Sequence, residues 1–169
     1  MRIEIPADEF KERIKKVQKL MGEANLDTVL AFSTECEPAY VRYFADYWPS
    51  FETTAVLIPA SGEPALLIGP ESLTYASSHS RIPHIIRLTD FRESSQPDYP
   101  GAKIPTWHDV FSEFPTKRLG IAGFHMFPQA IYANLKAALG DGEILEADDL
   151  VRKVTLIKSP AEIQCLKES

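Results

Sequence analysis

The chain has 169 residues, a net charge of −6 and a pI near 5.2, with 44% apolar and 25% charged residues. That balance is the composition of an ordinary globular protein and excludes a disordered or fibrous chain; a chain near this length buries roughly 70% of its unfolded surface in one core. The acidic surface disfavours nucleic acid and anionic membrane, and no apolar stretch reaches the roughly 18 residues of a membrane span, so a cytoplasmic chain with neither kind of partner is expected.

Phe10, Ile14, Val17 and Met21 recur at steps of four, three and four, which predicts an amphipathic helix over 8–24 with Asp8 as N-cap and Asn25 at its end. The basic residues Lys11, Arg13, Lys15, Lys16 and Lys19 interleave with those positions and read as its solvated face. The apolar run 28–32 then has the length and composition of a strand covered on both sides.

Residues 40–51 carry six aromatics in twelve positions. Tyr43 and Phe44 read as core. Pro49 and Ser50 interrupt both helical and strand periodicity, so 47–51 is expected to be a loop, with Tyr47, Trp48 and Phe51 as a contact surface for a ligand or partner.

Further on, 53–58 and 65–68 are short apolar runs joined through Ser61-Gly62, the pattern of a hairpin. A short helix at 71–77 and a strand at 82–88 follow, the latter at an edge because of Pro83. The polar segment 89–105, with Pro97, Pro100, Gly101 and Pro105, reads as a surface loop. A helix at 107–114, a buried strand at 118–122, a helix at 128–139 closed by Gly140, a strand at 143–146 and a helix at 149–154 capped by Asp148 complete the pattern. Strands alternating with helices, plus one hairpin, predict an α/β fold: a mixed β-sheet flanked by helices on both faces, in a single compact domain over 1–154.

Ser159-Pro160-Ala161-Glu162 carries a capping box, with a hydroxyl N-cap, proline at the first helical position and glutamate three residues after the cap. Only Ile163 and Leu166 follow as a large apolar pair, and such a short helix is marginal alone. Residues 155–169 are therefore expected to be a linker and the beginning of a helix leading into a further domain.

Little in the sequence speaks for chemistry within the chain. His79, His84, His108 and His125 show no metal-ligand spacing, and the acidic run 141–149 lacks the order of a calcium loop. Neither a phosphate-binding glycine motif nor a GxSxG elbow occurs. Cys36 follows a strand, but Glu35 and Glu37 repel the thiolate a nucleophile needs. Both Cys36 and Cys165 are expected to be reduced thiols. No catalytic residue, metal ligand or cofactor site is expected here.

The order of these elements, with DTVLAF, YVRYFADYWP, TTAVLIP, ALLIGP and above all the terminal LVRKVTLIKSPAEIQCLKES, resembles the N-terminal domain of creatinase, prolidase and aminopeptidase P. The resemblance covers nearly the whole chain and is most specific at its end. It implies a non-catalytic domain attached to a C-terminal metallohydrolase domain of Xaa-Pro dipeptidase or aminopeptidase type. Divalent metal ions such as Mn²⁺ or Co²⁺ belong to that absent catalytic domain. It also implies a homodimeric parent protein in which this domain assists subunit association and substrate access, with Tyr47, Trp48 and Phe51 in the position of the contributing loop. Two departures stand out: Tyr43-Phe44-Ala45-Asp46 replaces a Tyr-Leu-Thr-Gly pattern, and 47–51 contains no arginine. The latter favours a proline-peptidase-like over a creatinase-like parent. The alternative reading is a stand-alone α/β module that binds a ligand or protein.

Overall fold

The computed structural model describes residues 4–50, 52–92 and 103–168. Helix α1 (Ala7–Ala24) begins one residue before the expected cap: Pro6 takes the N-cap position, leaving Asp8 and Glu9 in the first turn, where acidic charge complements the helix dipole. Asn25 closes it in the left-handed conformation (φ 52°), which lets the Leu26 N–H return to the Met21 carbonyl at 3.0 Å.

Strand β1 (Thr28–Ser33) is buried at every position because it is central in the sheet. It runs antiparallel to β2 (Thr54–Pro59) on one side and parallel to β5 (Arg118–Ala122) on the other. The hairpin partner of β2 is β3 (Ala65–Ile68), which β4 (Ile85–Arg87) joins in parallel; β6 (Glu143–Glu146) lies parallel to β5 at the opposite edge. The resulting mixed sheet has the order β4-β3-β2-β1-β5-β6.

Alternation along the strands divides the core into two layers. Val29, Ala31, Val56 and Ile58 meet α1, α2 (Ala39–Ala45), α3 (Leu73–His79) and α6 (Asp148–Leu156). Leu30, Phe32, Ala55 and Leu57 meet α4 (Trp107–Glu113), α5 (Gln129–Leu139) and Phe91. Helices thus cover both faces, as the sequence predicts, and the chain is one α/β domain. A last helix, α7 (Pro160–Glu168), buries none of its residues.

The structure departs from the sequence reading in several places. Helix α2 forms where only an aromatic segment was expected, because Val41, Phe44 and Ala45 bury against β1 and β2. The strand at 82–88 shrinks to three residues, and the 71–77 helix opens as a 3₁₀ turn at Pro70–Ser72. Residue 105 lies beside the sheet, with the Pro105 carbonyl accepting from the Thr89 N–H at 3.3 Å, and Phe91 is buried; residues 93–102 of the expected loop lie outside the described residues. Asp148 is the first residue of α6 and does not cap it. Its carboxylate is recruited instead by the Gly123 and Phe124 N–H groups (2.8 and 3.2 Å) and the Tyr40 hydroxyl (2.7 Å). No helix of the described residues is long and apolar enough to cross a membrane.

Candidate functional site

Two adjoining places on the α1–α2–α3 side of the sheet hold its unusual side chains. The first is the start of α7. Ser159 and Glu162 form the expected capping box: the Glu162 N–H donates to the Ser159 hydroxyl oxygen (3.1 Å) and the Ser159 N–H to Glu162 Oε2 (2.8 Å). The Ser159 hydroxyl also donates to Glu9 on α1. Between them lies Arg13, which is buried rather than solvated. Its guanidinium pairs with Glu9 at 2.6 Å and Glu162 at 3.5 Å, donates to the Tyr43 carbonyl at 2.7 Å, and stacks 4.1 Å from the Tyr43 ring centroid. A planar fork with several donors is what such a site needs, since one group must serve two carboxylates, a carbonyl and an aromatic face. The only hint in the helical periodicity is that Arg13 lies three residues after Phe10 and four before Val17, at the edge of the apolar stripe.

The second place is the aromatic segment, whose members separate. Phe44 is core, and the half-buried Tyr43 donates its hydroxyl to the Val154 carbonyl at 3.2 Å. Helix α2 ends at Asp46, which takes the left-handed conformation (φ 52°) where the family pattern has glycine; aspartate tolerates that conformation, and its carboxylate pairs with Arg42 (3.8 Å) and Arg81 (3.4 Å). Tyr47 does not face solvent: it is completely buried, with its ring 5.4 Å from that of Tyr75. Among the described members of the segment Trp48 is exposed, at 46%, with the Arg42 guanidinium 5.2 Å from its ring centroid. Leu73, Tyr75 and the His79 ring stacked on Tyr75 add exposed apolar and aromatic surface from α3. Phe51 lies outside the described residues.

Beneath this surface lies a polar group that sequence reasoning missed. Glu52 is 7% exposed, and neither carboxyl oxygen has a hydrogen-bond partner; the Tyr47 and Thr54 hydroxyls are buried without partners as well. Ser72 approaches Tyr47 and Glu52 without reaching hydrogen-bond geometry. Burial, aided by the nearby Glu71 carboxylate, pushes the Glu52 carboxyl up to about 7, and burial pushes the Tyr47 hydroxyl up to about 12. Glu52 is therefore largely a neutral acid below neutral pH. Gly69 leaves room for this carboxyl, since a Cβ there would overlap Glu52 Oε2 and stand 2.6 Å from the Phe91 carbonyl.

Cys36 is exposed and free, and the histidine beside its loop, His125, points its Nε2 at Glu37 (3.6 Å). Among the described residues no three His, Cys, Asp or Glu side chains converge as metal ligands.

Comparison with known proteins matches this architecture. The model of the Creatinase/Prolidase N-terminal domain matches residues 13–157. The uncharacterized peptidase YqhT of Bacillus subtilis is 28% identical over 167 residues, covering 93% of this chain but 39% of that protein, so the chain spans about two fifths of its relative. The Xaa-Pro dipeptidase from Bacillus anthracis superposes with a TM-score of 0.68 at 23% identity, over 95% of this chain and 39% of that one. The N-terminal domain of the cytoplasmic peptidase PepQ from Mycobacterium tuberculosis gives 0.60 at 18%, over 85% of this chain and 98% of that one. With its mixed sheet, its two helical layers and a family match over most of its length, the chain belongs to the creatinase/prolidase N-terminal domain family.

Proposed function

We propose that this chain is the non-catalytic N-terminal domain of a Xaa-Pro dipeptidase- or aminopeptidase-like metallohydrolase, in which it assists subunit association and substrate access. The observation that carries this reading is the surface around α7. Its start is clamped to α1 by Glu9, Arg13, Ser159 and Glu162, while Leu156, Ile157, Ile163 and Leu166 stand 66, 83, 43 and 63% exposed. A rigid base that displays apolar side chains is the arrangement of a docking face, here for a catalytic domain. On this reading residues 1–154 are the domain body, 155–169 connect it to that catalytic domain, and the divalent ions, such as Mn²⁺ or Co²⁺, belong to the partner domain. Of the described members of the aromatic segment, the exposed Trp48 is the one that reaches a substrate or a second subunit. A cytoplasmic setting agrees with the two free cysteines.

The test is an assay of the purified chain on Xaa-Pro dipeptides with added Mn²⁺, Co²⁺ or Zn²⁺, together with sedimentation to determine its association state. No turnover is expected from the chain alone, and robust metal-dependent turnover would sink the proposal. The second reading, a stand-alone α/β binding module, requires α7 to pack on the domain through Ile163 and Leu166, which stand 43 and 63% exposed. It predicts that the Leu156–Ile157 surface binds no catalytic domain, a difference that titration with the separately expressed catalytic domain reads directly.

A further inference from the structure

Five buried side-chain polar atoms have no partner among the described residues, and four of them belong to residues 47–54: both Glu52 carboxyl oxygens, the Tyr47 hydroxyl and Thr54 Oγ1. Buried polar atoms without partners are rare in a folded protein, because each forfeits its hydration, and a group of them marks the place of an ion or ligand. Glu52 is the costliest member, since it is a carboxyl at 7% exposure with neither a hydrogen bond nor an ion pair among the described residues.

Two stretches of chain bring oxygen atoms together here. Tyr47 follows the left-handed Asp46 that ends α2, Glu52 precedes β2, and both approach Ser72 of the 3₁₀ turn Pro70–Ser72. Glu71 of the same turn sets a second carboxylate against Glu52. Gly69 completes the cradle, because a side chain there would take the place of Glu52 Oε2. The arginines of the neighbouring segment are engaged elsewhere, Arg42 and Arg81 with Asp46 at 3.8 and 3.4 Å. Glu52 therefore meets another carboxylate and no cation of the described residues, an arrangement that repels until a positive ion enters it. The surrounding donors are carboxylate and hydroxyl oxygens, and the ring of His79 is turned to the Tyr75 carbonyl at 2.9 Å. Oxygen donors select a hard cation; Ca²⁺ accepts their irregular geometry, whereas Mg²⁺ demands a tight octahedron. Glu71 is exposed and Ser72 half-buried, so the 3₁₀ turn gives an ion its way in.

We propose that Glu52 and Glu71, with the Tyr47 and Ser72 hydroxyls, bind one divalent cation of the calcium type. The carboxylates supply the charge and the hydroxyls further oxygens, and the bound ion ties the 3₁₀ turn to residues 47 and 52, on either side of Trp48. The site needs no other domain and stands apart from the docking face at α7.

Titration of the isotope-labelled chain with Ca²⁺, followed by amide NMR, tests it, together with Tb³⁺ emission excited through tyrosine. Ca²⁺ is expected to shift the amides of Glu52 and of 69–72 with a Kd of about 0.1–1 mM, the range of weak calcium modules, and Mg²⁺ to bind roughly tenfold more weakly or worse. Tb³⁺ should take the same place and emit by transfer from Tyr47, and Ca²⁺ should quench that emission by competition. Glu52→Gln keeps the shape and removes the charge; it should weaken Ca²⁺ roughly tenfold or more and abolish the emission, with the amide spectrum confirming the fold. Glu71→Gln, at an exposed position, should weaken Ca²⁺ as well, whereas Glu146→Gln on the edge strand β6 should change nothing. Absence of shifts at millimolar Ca²⁺, shifts confined to the acidic run 141–149, emission that survives Glu52→Gln, equal losses in Glu52→Gln and Glu146→Gln, or equal binding of Mg²⁺ each overturn the assignment.

Discussion

The Ser159 hydroxyl donates to both carboxylate oxygens of Glu9, at 2.9 and 3.0 Å, across a separation of 150 residues. That contact joins the cap of the last helix to the first turn of the first one, and Arg13 lies beside it with both carboxylates in reach. A polar cluster therefore anchors the start of α7 on α1.

Removing the hub should cost more than removing the cap. Arg13→Ala leaves two poorly exposed carboxylates without their cation and is expected to destabilise by about 3 kcal/mol; Ser159→Ala should cost about 1 kcal/mol. Arg13→Lys keeps the charge but cannot span Glu9, Glu162 and the Tyr43 carbonyl, so it should recover less than half of the loss. Denaturant unfolding gives the energies. Hydrogen exchange should show the amides of α7 opening in Ser159→Ala while those of β1 stay protected; equal opening of both would refute the local role.

Stability should fall with rising pH because of Glu52. Its carboxyl titrates at about 7 when folded against 4.5 when unfolded, so between these values the folded state holds a proton that the unfolded state releases. The contribution is complete below about pH 4.5, declines as pH rises towards 7, and amounts to at most about 3 kcal/mol. Unfolding free energies at pH 5 and pH 8 measure it. Glu52→Gln, which mimics the protonated form, should flatten this dependence and stabilise the chain at pH 8.

Gly69→Ala tests the packing around the same carboxyl. The added methyl meets Glu52 and the Phe91 backbone, and such overpacking costs about 1–3 kcal/mol. Combining it with Glu52→Ala should relieve part of that cost, leaving the clash with Phe91. Strict additivity in a double-mutant cycle would show that the two residues do not press on one another.

Asp148 offers a fourth measurement. Asp148→Ala leaves the Gly123 and Phe124 amides and the Tyr40 hydroxyl without their acceptor and should cost about 2–3 kcal/mol, while Tyr40→Phe should cost about 1 kcal/mol. If the Tyr40 hydroxyl did not depend on Asp148, the two substitutions would be additive; their shared hydrogen bond predicts that they are not.

The features legible in the sequence are those governed by neighbours in the chain. The capping box at Ser159 and Glu162, the left-handed closure at Asn25, the hairpin through Ser61-Gly62 and the buried run of β1 all follow from local hydrogen bonding or from a period of hydrophobicity. The same locality made the family pattern recognisable. The order β4-β3-β2-β1-β5-β6, the burial of Arg13 between α1 and α7, the inward turn of Tyr47 and the partnerless carboxyl of Glu52 were decided by residues that meet only after folding. A cation among lysines and an aromatic beside a proline look alike on a linear chain whether they face water or the core. Their distinction arises from contacts 30 to 150 residues away, such as Arg13 with Tyr43 and Ser159 with Glu9, where burial and partner geometry set the energy.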